Sequence, residues 1–218
     1  MPTRPLLLGH RGARGEKSVT ENTLAAFDFA LTQGCDGFEF DVRLAGDGQA
    51  VVCHDAKISG AEVAHTSSQA LALPLLRDVL QRYAQTTFLD IELKVPGLEA
   101  LTLDLLKAHR PVRGYVISSF LPEVLNAIHS KDAAIPLGLI CETQDQFDAW
   151  TGLPVQYVIP HRKLVHRNLV ADLANHGCKV LVWTVNSEQE MKLLADWGVD
   201  GLISDDPADL VRTLRPKL

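Results

Sequence analysis

The 218-residue chain lacks any apolar run that approaches the roughly 20 residues a helix needs to cross a bilayer. The short apolar segment at residues 6–8 is also unlike a secretory signal peptide, which has a longer hydrophobic region and a small-residue cleavage site. It leads directly into His10, a candidate catalytic residue. The sequence therefore predicts a cytoplasmic protein with no stable membrane insertion.

Basic residues are not in excess, because the formal net charge is −6. Proteins that bind duplex nucleic acid are usually basic, so we do not expect a nucleic-acid partner. Apolar residues make up 46% and charged residues 22% of the chain, an ordinary globular composition. No interior linker is rich in proline, glycine or serine, which predicts a single domain over residues 1–218. No pattern predicts an oligomeric state.

The cysteines include no C-x-x-C pair, which argues against a structural zinc site. There are four of them: Cys35, Cys53, Cys141 and Cys178. The simplest interpretation is four buried thiols in a reducing compartment.

Apolar, strand-like runs alternate along the chain with segments of helical periodicity. The predicted strands are Leu6–His10, Gly37–Arg43, Phe88–Leu93, Tyr115–Ser118, Ile135–Cys141, Gln156–Pro160, Lys179–Thr184 and Gly201–Ser204. The predicted helices are Glu21–Gln33, Leu75–Gln85, Leu98–Ala108, Glu123–Ser130, Gln144–Trp150, Leu169–His176, Ser187–Trp197 and Ala208–Leu214.

This alternation predicts an α/β fold, a (β/α)8 TIM barrel, because it supplies one strand–helix unit for each position of such a barrel. A doubly wound open sheet is the alternative. The first strand–helix turn has no G-x-G-x-x-G, which weakens a dinucleotide-binding version of that fold. Thr20 is predicted to cap the start of the first helix, and Gly34, Gly177 and Gly198 are predicted to end helices in the left-handed conformation.

Polar and charged residues cluster at the C-terminal ends of the predicted strands, which in a barrel face one common mouth. They are His10 and Arg11 at the first strand, Glu39 and Asp41 in the second, His54 after a short extension at residues 50–53, and Glu92 and Lys94 at the third.

Glu39 and Asp41 are two residues apart on one strand, so both side chains point to the same face. With Glu92 they would bring three carboxylates together, and like charges in a shared buried site repel one another unless a cation neutralises them. Carboxylate oxygens suit a hard divalent ion, Mg²⁺ or Ca²⁺, better than zinc. The alternative is a buried salt-bridge network with Arg11, Arg43 and Lys94.

His10 and His54 differ from the other histidines because both lie beside the predicted carboxylate cluster. Cleavage of a phosphodiester needs one group to remove a proton from the nucleophile and another to protonate the leaving oxygen, and two histidines can do both. Arg11 and Lys94 would contact the phosphoryl oxygens. The remaining histidines except His161 are read as surface or structural residues: His65, His109, His129, His166 and His176.

Trp183 lies near the mouth on the predicted seventh strand, either as an apolar wall for the substrate or as a packing residue of the barrel. His161 follows the sixth strand, where a position at the mouth and a loop position are equally compatible with the sequence. Asp205 is interpreted as a cap of the last helix. The segment Glu21–Thr23 is read as the start of the first helix, with a contact to the site.

Several motifs together resemble the glycerophosphodiester phosphodiesterase family. In the first 94 residues these are His10-Arg11-Gly12, Glu21-Asn22-Thr23, Glu39-Phe40-Asp41, His54-Asp55 and Glu92-Leu93-Lys94. Near the end they are Val182-Trp183-Thr184-Val185-Asn186 and the run from Gly198 to Pro207.

The resemblance implies a (β/α)8 barrel that hydrolyses glycerophosphodiesters, small-molecule substrates, to glycerol 3-phosphate and an alcohol. It implies His10 and His54 as the acid/base pair and Arg11 and Lys94 as phosphate contacts. It implies Glu39, Asp41 and Glu92 as ligands of Mg²⁺ or Ca²⁺. Two rival functions stay open: a phospholipase-D-like or lyase activity on lysolipids or other phosphodiesters, and a non-catalytic barrel that binds phosphorylated ligands.

The chain departs from the family pattern after His54-Asp55, where many members carry a longer insertion that packs over the site. Residues 56–66 lead quickly to the next helix, so the insertion after the second strand is predicted to be short. We expect a more open mouth with looser selectivity for the alcohol. A smaller departure is Thr20, where the family often has proline.

Overall fold

The computed structural model describes residues 4–215; the first three and last three residues of the predicted domain lie outside the described residues. Eight parallel strands form a closed barrel, because the first strand pairs with both the second and the last. They are β1 (Leu6–Gly9), β2 (Gly37–Leu44), β3 (Phe88–Leu93), β4 (Tyr115–Ser119), β5 (Leu137–Cys141), β6 (Tyr157–Pro160), β7 (Lys179–Val182) and β8 (Gly201–Ser204). The predicted (β/α)8 barrel is confirmed.

A helix follows each barrel strand. These helices are α1 (Leu24–Gln33), α2 (Leu76–Tyr83), α3 (Glu99–Ala108), α4 (Pro122–Lys131), α5 (Gln144–Asp148), α6 (Arg167–Asn175), α7 (Glu188–Trp197) and α8 (Pro207–Leu214). None of the helices found in residues 4–215 is both long and apolar enough to cross a membrane.

The start of α1 was predicted wrongly. The N-cap is Thr23, whose hydroxyl accepts a hydrogen bond from the Ala26 amide at 3.3 Å, and not Thr20. The physical reason is Asn22, whose φ of 57° is left-handed and interrupts the helix before Thr23. The predicted glycine caps are confirmed, since Gly34, Gly177 and Gly198 all have positive φ.

The other element boundaries differ from the predicted ones by only a few residues. The predicted strand to Thr184 ends at Val182, after which Trp183 forms an isolated bridge with His161. The predicted helix to Trp150 ends at Asp148 and tightens into a 3-10 turn, Ala149–Gly152.

The insertion between β2 and α2 is short, as predicted. Its first strand, Ala50–Val52, pairs antiparallel with the end of β2, and Val52 lies opposite Val42. The remainder consists of four small elements: the strands Lys57–Ile58 and Ala61–Glu62, the 3-10 turn Val63–His65 and the one-turn helix Ser68–Leu71.

Strand β2 separates two environments by simple alternation. Phe38 and Phe40 are buried in the core between the barrel and the helices, where the Phe38 ring stacks on Phe27 with centroids 4.1 Å apart. Inside the barrel, Leu8, Ile140 and other strand residues form a separate apolar cluster. Glu39 and Asp41 are also buried and point inward, so β2 brings two carboxylates close to this apolar cluster.

The four cysteines are all free and buried, as predicted, whereas the reducing compartment stays a prediction.

Candidate active site

A cavity of about 330 Å³ opens at the C-terminal ends of the barrel strands. Its lining divides into a charged and an apolar part. The charged and polar lining residues are His10, Arg11, Glu39, His54, Asp90, Glu92, Lys94 and Glu142. The apolar lining residues are Phe120, Ile140, Ile159, Trp183 and Ile203. The barrel thus brings nearly all the predicted site residues into one cavity.

Glu39, Asp41 and Glu92 form the predicted carboxylate cluster. Each offers an oxygen that lies within 4.8 Å of the other two, and all three residues are buried. The register explains the cluster, because Asp41 on β2 lies directly opposite Glu92 on β3. One oxygen, Glu39 Oε1, is buried without a hydrogen-bond partner among the described residues. An unpartnered buried carboxylate oxygen in a set of three fits a hard divalent cation.

The pKa values of the three carboxyl groups are shifted in different directions. Burial, reinforced by the charges of Asp41 and Glu92, raises the pKa of Glu39 well above its usual value. Burial and Asp41 likewise raise the pKa of Glu92. Burial also opposes ionisation of Asp41, but Lys94 and Arg11 outweigh it and lower the pKa of that carboxyl. Asp41 is therefore the most firmly charged member of the cluster.

Two cations lie against this cluster. Lys94 Nζ is 2.6 Å from Glu92 Oε1 and 3.2 Å from Asp41 Oδ1. Arg11 Nε is 3.3 Å from Asp41 Oδ2, and the Arg11 backbone amide donates to Glu39 Oε2 at 2.9 Å. The buried salt-bridge network considered from the sequence therefore exists in part.

Arg43 lies outside this network. Its Nε donates to the backbone oxygen of His54 at 2.7 Å, so it holds the histidine segment instead of a carboxylate.

His10 follows β1 and its imidazole is clamped between two carboxylates. Nδ1 is 2.6 Å from Asp205 Oδ1, and Nε2 is 3.8 Å from Glu39 Oε2. Because an ionised carboxylate only accepts hydrogen bonds, Nδ1 of the neutral ring carries the proton and Nε2 presents its lone pair to the cluster.

The interpretation of Asp205 as a helix cap was wrong. Asp206 caps α8, with a side-chain oxygen that accepts from the Asp209 amide at 2.9 Å, and Asp205 turns to His10 instead. Asn186 Nδ2 also donates to Asp205, at 2.7 Å. The position of Asp205 directly after a barrel strand was the signal that could have identified it.

His54 is brought to the mouth by the antiparallel extension of β2. The amide of Cys53 donates to the Asp41 carbonyl at 3.0 Å, which places the next residue beside the cluster. His54 Nδ1 is 2.7 Å from Asp55 Oδ1. His54 thus has the same imidazole–carboxylate pairing as His10.

The segment before α1 supports the cluster. Asn22 Nδ2 donates to Asp41 Oδ2 at 2.8 Å, and the Asp41 amide donates to Asn22 Oδ1 at 3.2 Å. Glu21 accepts from Arg11 at 2.7 Å. The left-handed backbone of Asn22 therefore directs its side chain inward, which is why α1 starts late.

Asp90 is a site residue that the sequence analysis missed. It is fully buried below Glu92 on β3, accepts a hydrogen bond from the Ser118 hydroxyl at 2.5 Å, and lines the cavity. Burial raises its pKa to about 7. The two-residue alternation that placed Glu92 inside the barrel also identifies Asp90.

Trp183 lies in the apolar part of the cavity wall. Its Nε1 donates to the Ile159 carbonyl at 2.9 Å, and its ring meets Phe120 and His161 edge-on at centroid distances of 5.7 and 5.3 Å. The ring of Trp183 thus packs on its neighbours and also faces the cavity, and its contact with substrate stays a prediction.

Comparison with known proteins shows which family the chain resembles over most of its length. The model of the glycerophosphoryl diester phosphodiesterase family matches residues 10–99 and 59–209. The glycerophosphodiester phosphodiesterase of Caldanaerobacter subterraneus subsp. tengcongensis is 28% identical over 241 residues, which cover 97% of this chain and 98% of the relative. A solved structure of an Oleispira antarctica phosphodiesterase in complex with the product sn-glycerol-3-phosphate is 27% identical, with a TM-score of 0.83 and 96% of each chain covered. Lysophospholipase D GDPD1 of Rattus norvegicus is 24% identical over 265 residues, which cover 93% of this chain and 84% of that protein.

The His10–Asp205 contact predicts a pH-dependent stability. Burial opposes ionisation of Asp205, but its hydrogen bond with His10 and contacts with Asn186 and Arg14 outweigh it and lower its pKa from 3.8 to about 2. The resulting stabilisation is complete above about pH 4 and is lost as the pH falls towards 2. The excess unfolding free energy of wild type over Asp205→Asn should therefore shrink by about 1 kcal/mol between pH 5 and pH 3. Urea denaturation at both pH values measures it, and a constant difference would contradict the pairing.

Proposed function

The chain belongs to the glycerophosphoryl diester phosphodiesterase family, and on that premise we propose metal-dependent hydrolysis of glycerophosphodiesters to glycerol 3-phosphate and an alcohol by histidine acid/base catalysis. The observation that carries the proposal is the presence, in one cavity, of a buried carboxylate cluster and two histidines that each pair with a carboxylate.

The two histidines act as the proton-transfer pair. Since Nδ1 of each ring is held by a carboxylate, Nε2 is the nitrogen that exchanges protons with the substrate. One imidazole removes a proton from the attacking water, whose oxygen bonds to phosphorus, and the other, protonated, delivers a proton to the oxygen of the alcohol as its bond to phosphorus breaks. Asp205 and Asp55 orient the rings and stabilise the imidazolium form.

The proposed metal ligands are Glu39, Asp41 and Glu92. A bound Mg²⁺ or Ca²⁺ supplies positive charge that neutralises the phosphoryl oxygens during reaction. Arg11 and Lys94 add fixed positive charge at the same place, as phosphate contacts. Asn22 keeps Asp41 in position from the opposite side. A cytoplasmic location stays part of the proposal, supported by the four free thiols.

His10→Ala should lower kcat for glycerol 3-phosphate release from glycerophosphocholine by at least roughly 10²-fold, because one of two cooperating proton-transfer groups is removed. His109→Ala is a matched control, since His109 follows α3 at the other end of the barrel. A coupled assay for glycerol 3-phosphate measures both. Full activity of the His10 variant would sink the proposed mechanism.

Removal of the metal should abolish product release, and added Mg²⁺ or Ca²⁺ should restore it, because the carboxylates repel one another and the phosphate without a cation. Glu39→Gln should weaken binding of the cation at least roughly tenfold, since it removes one ligand charge. Isothermal titration calorimetry with each ion reports this independently of activity. Undiminished turnover after exhaustive chelation would exclude the metal requirement.

A phospholipase-D-like activity on lysolipids is the second candidate, favoured by the apolar part of the cavity and the short insertion. We propose that the open mouth selects the size of the alcohol only loosely. Glycerophosphodiesters with small and large alcohols should then be cleaved with kcat/KM values within about tenfold of one another. Lysophosphatidylcholine, which carries its acyl chain on the glycerol, tests the second candidate, and its cleavage to choline would support it. Product analysis by mass spectrometry checks the panel. Strict preference for one small alcohol, or a cyclic phosphate as final product, would contradict hydrolysis with loose size selection.

A further inference from the structure

Glu142 is a cavity residue that the proposed catalytic steps do not use. It directly follows β5, which lies across the closed barrel from β1 and its His10. It lines the same cavity as the catalytic residues, and it is exposed to solvent there. Its backbone amide donates to the side chain of Gln146 in α5, at 2.9 Å, so the start of that helix fixes the residue's position.

Two of the cations on the cavity side of the barrel are engaged elsewhere. Lys94 contacts Glu92 and Asp41, and Arg162 pairs with Glu190. Burial, then Arg162, lowers the pKa of His161, so this neighbouring imidazole is neutral at pH 7. The carboxylate of Glu142 therefore adds a negative charge to the part of the cavity that is otherwise apolar.

Two aromatic rings border the same part of the cavity. Phe120 and Trp183 meet edge-on at 5.7 Å, and the hydrogen bond from Trp183 Nε1 to Ile159 fixes the indole. Lys94 Nζ lies 5.7 Å from the centroid of the Phe120 ring, so this ring already has a cation over one face. Aromatic faces attract ammonium groups, and a nearby carboxylate strengthens that attraction.

The order of the strands indicates how a substrate would be oriented in the cavity. The carboxylate cluster, the histidines, Arg11 and Lys94 all come from the segments at β1, β2 and β3, and they would hold the phosphate. Phe120, Glu142 and Trp183 follow β4, β5 and β7. An alcohol that leaves the phosphate across the cavity therefore reaches the aromatic rings and Glu142.

We propose that Glu142, with Phe120 and Trp183, makes the site selective for glycerophosphodiesters whose alcohol carries an ammonium group. The inference rests on the proposed function and adds a preference for charge to a mouth that is tolerant of size. An alcohol with a negative charge would be repelled, and a neutral alcohol would gain nothing from the carboxylate.

The test compares glycerophosphocholine, with a cationic alcohol, and glycerophosphoglycerol, with a neutral alcohol of similar size. Glu142→Gln should raise KM for glycerophosphocholine about fivefold, with kcat within twofold, and should leave KM for glycerophosphoglycerol within twofold. Glu142→Asp, which keeps the charge, should retain part of the preference. Asp145→Asn is the matched control, because it removes the same charge from an exposed position three residues along and should change neither KM.

The outcomes separate the two proposals. Release of glycerol 3-phosphate from both substrates, with equal KM shifts or none in Glu142→Gln, would overturn the ammonium selectivity and leave the hydrolase intact. Failure of the wild-type protein to release glycerol 3-phosphate from either substrate would overturn the proposed function and the selectivity with it. A shift in Asp145→Asn as large as in Glu142→Gln would show a long-range charge effect and would also overturn the role of Glu142.

Discussion

The mutual repulsion of three buried carboxylates is the constraint on which the rest of the site depends. Glu39, Asp41 and Glu92 are held together by the register of β2 and β3, not by attraction to one another. The nearby polar groups offset part of that repulsion. Lys94 and Arg11 neutralise part of it, Asn22 satisfies one carboxylate with hydrogen bonds, and the raised pKa of Glu39 shows that the balance is incomplete. A divalent cation would complete it.

The barrel can hold this carboxylate cluster because its strands place charged side chains on one face and core side chains on the other. On β2 the aromatic residues at even positions pack against the helices, and the acidic residues at odd positions face the mouth. The free energy that holds the strand in place comes from burial of Phe38 and its neighbours, and it does not depend on the charged face. A strand that is anchored on one side can thus present an unfavourable cluster on the other.

Local patterns in the sequence were sufficient for the barrel and for most of the site. Apolar runs identified the strands, and two-residue alternation identified Glu39 and Asp41 as neighbours. Asp90 was missed although the same alternation identifies it, but the other missed features depend on contacts between distant parts of the chain. Asp205 contacts a histidine 195 positions away, and Asn22 bonds a strand residue 19 positions away. Thr23 is the cap instead of Thr20 because Asn22 adopts a left-handed backbone and hydrogen-bonds to Asp41. Helix-capping preferences alone cannot predict such a tertiary contact.

The pairing of His10 with Asp205 joins the first strand segment of the barrel to the last. The His10 amide also donates to the Ser204 carbonyl at 2.7 Å, and the Gly15 amide donates to the Asp205 carbonyl at 2.8 Å. The orientation of a residue made early in synthesis is therefore decided by one made almost at the end. Until the ring of strands has closed, His10 lacks Asp205, the carboxylate that holds its Nδ1. The orientation of His10 and completion of the fold thus arise in the same step, at the seam between β1 and β8.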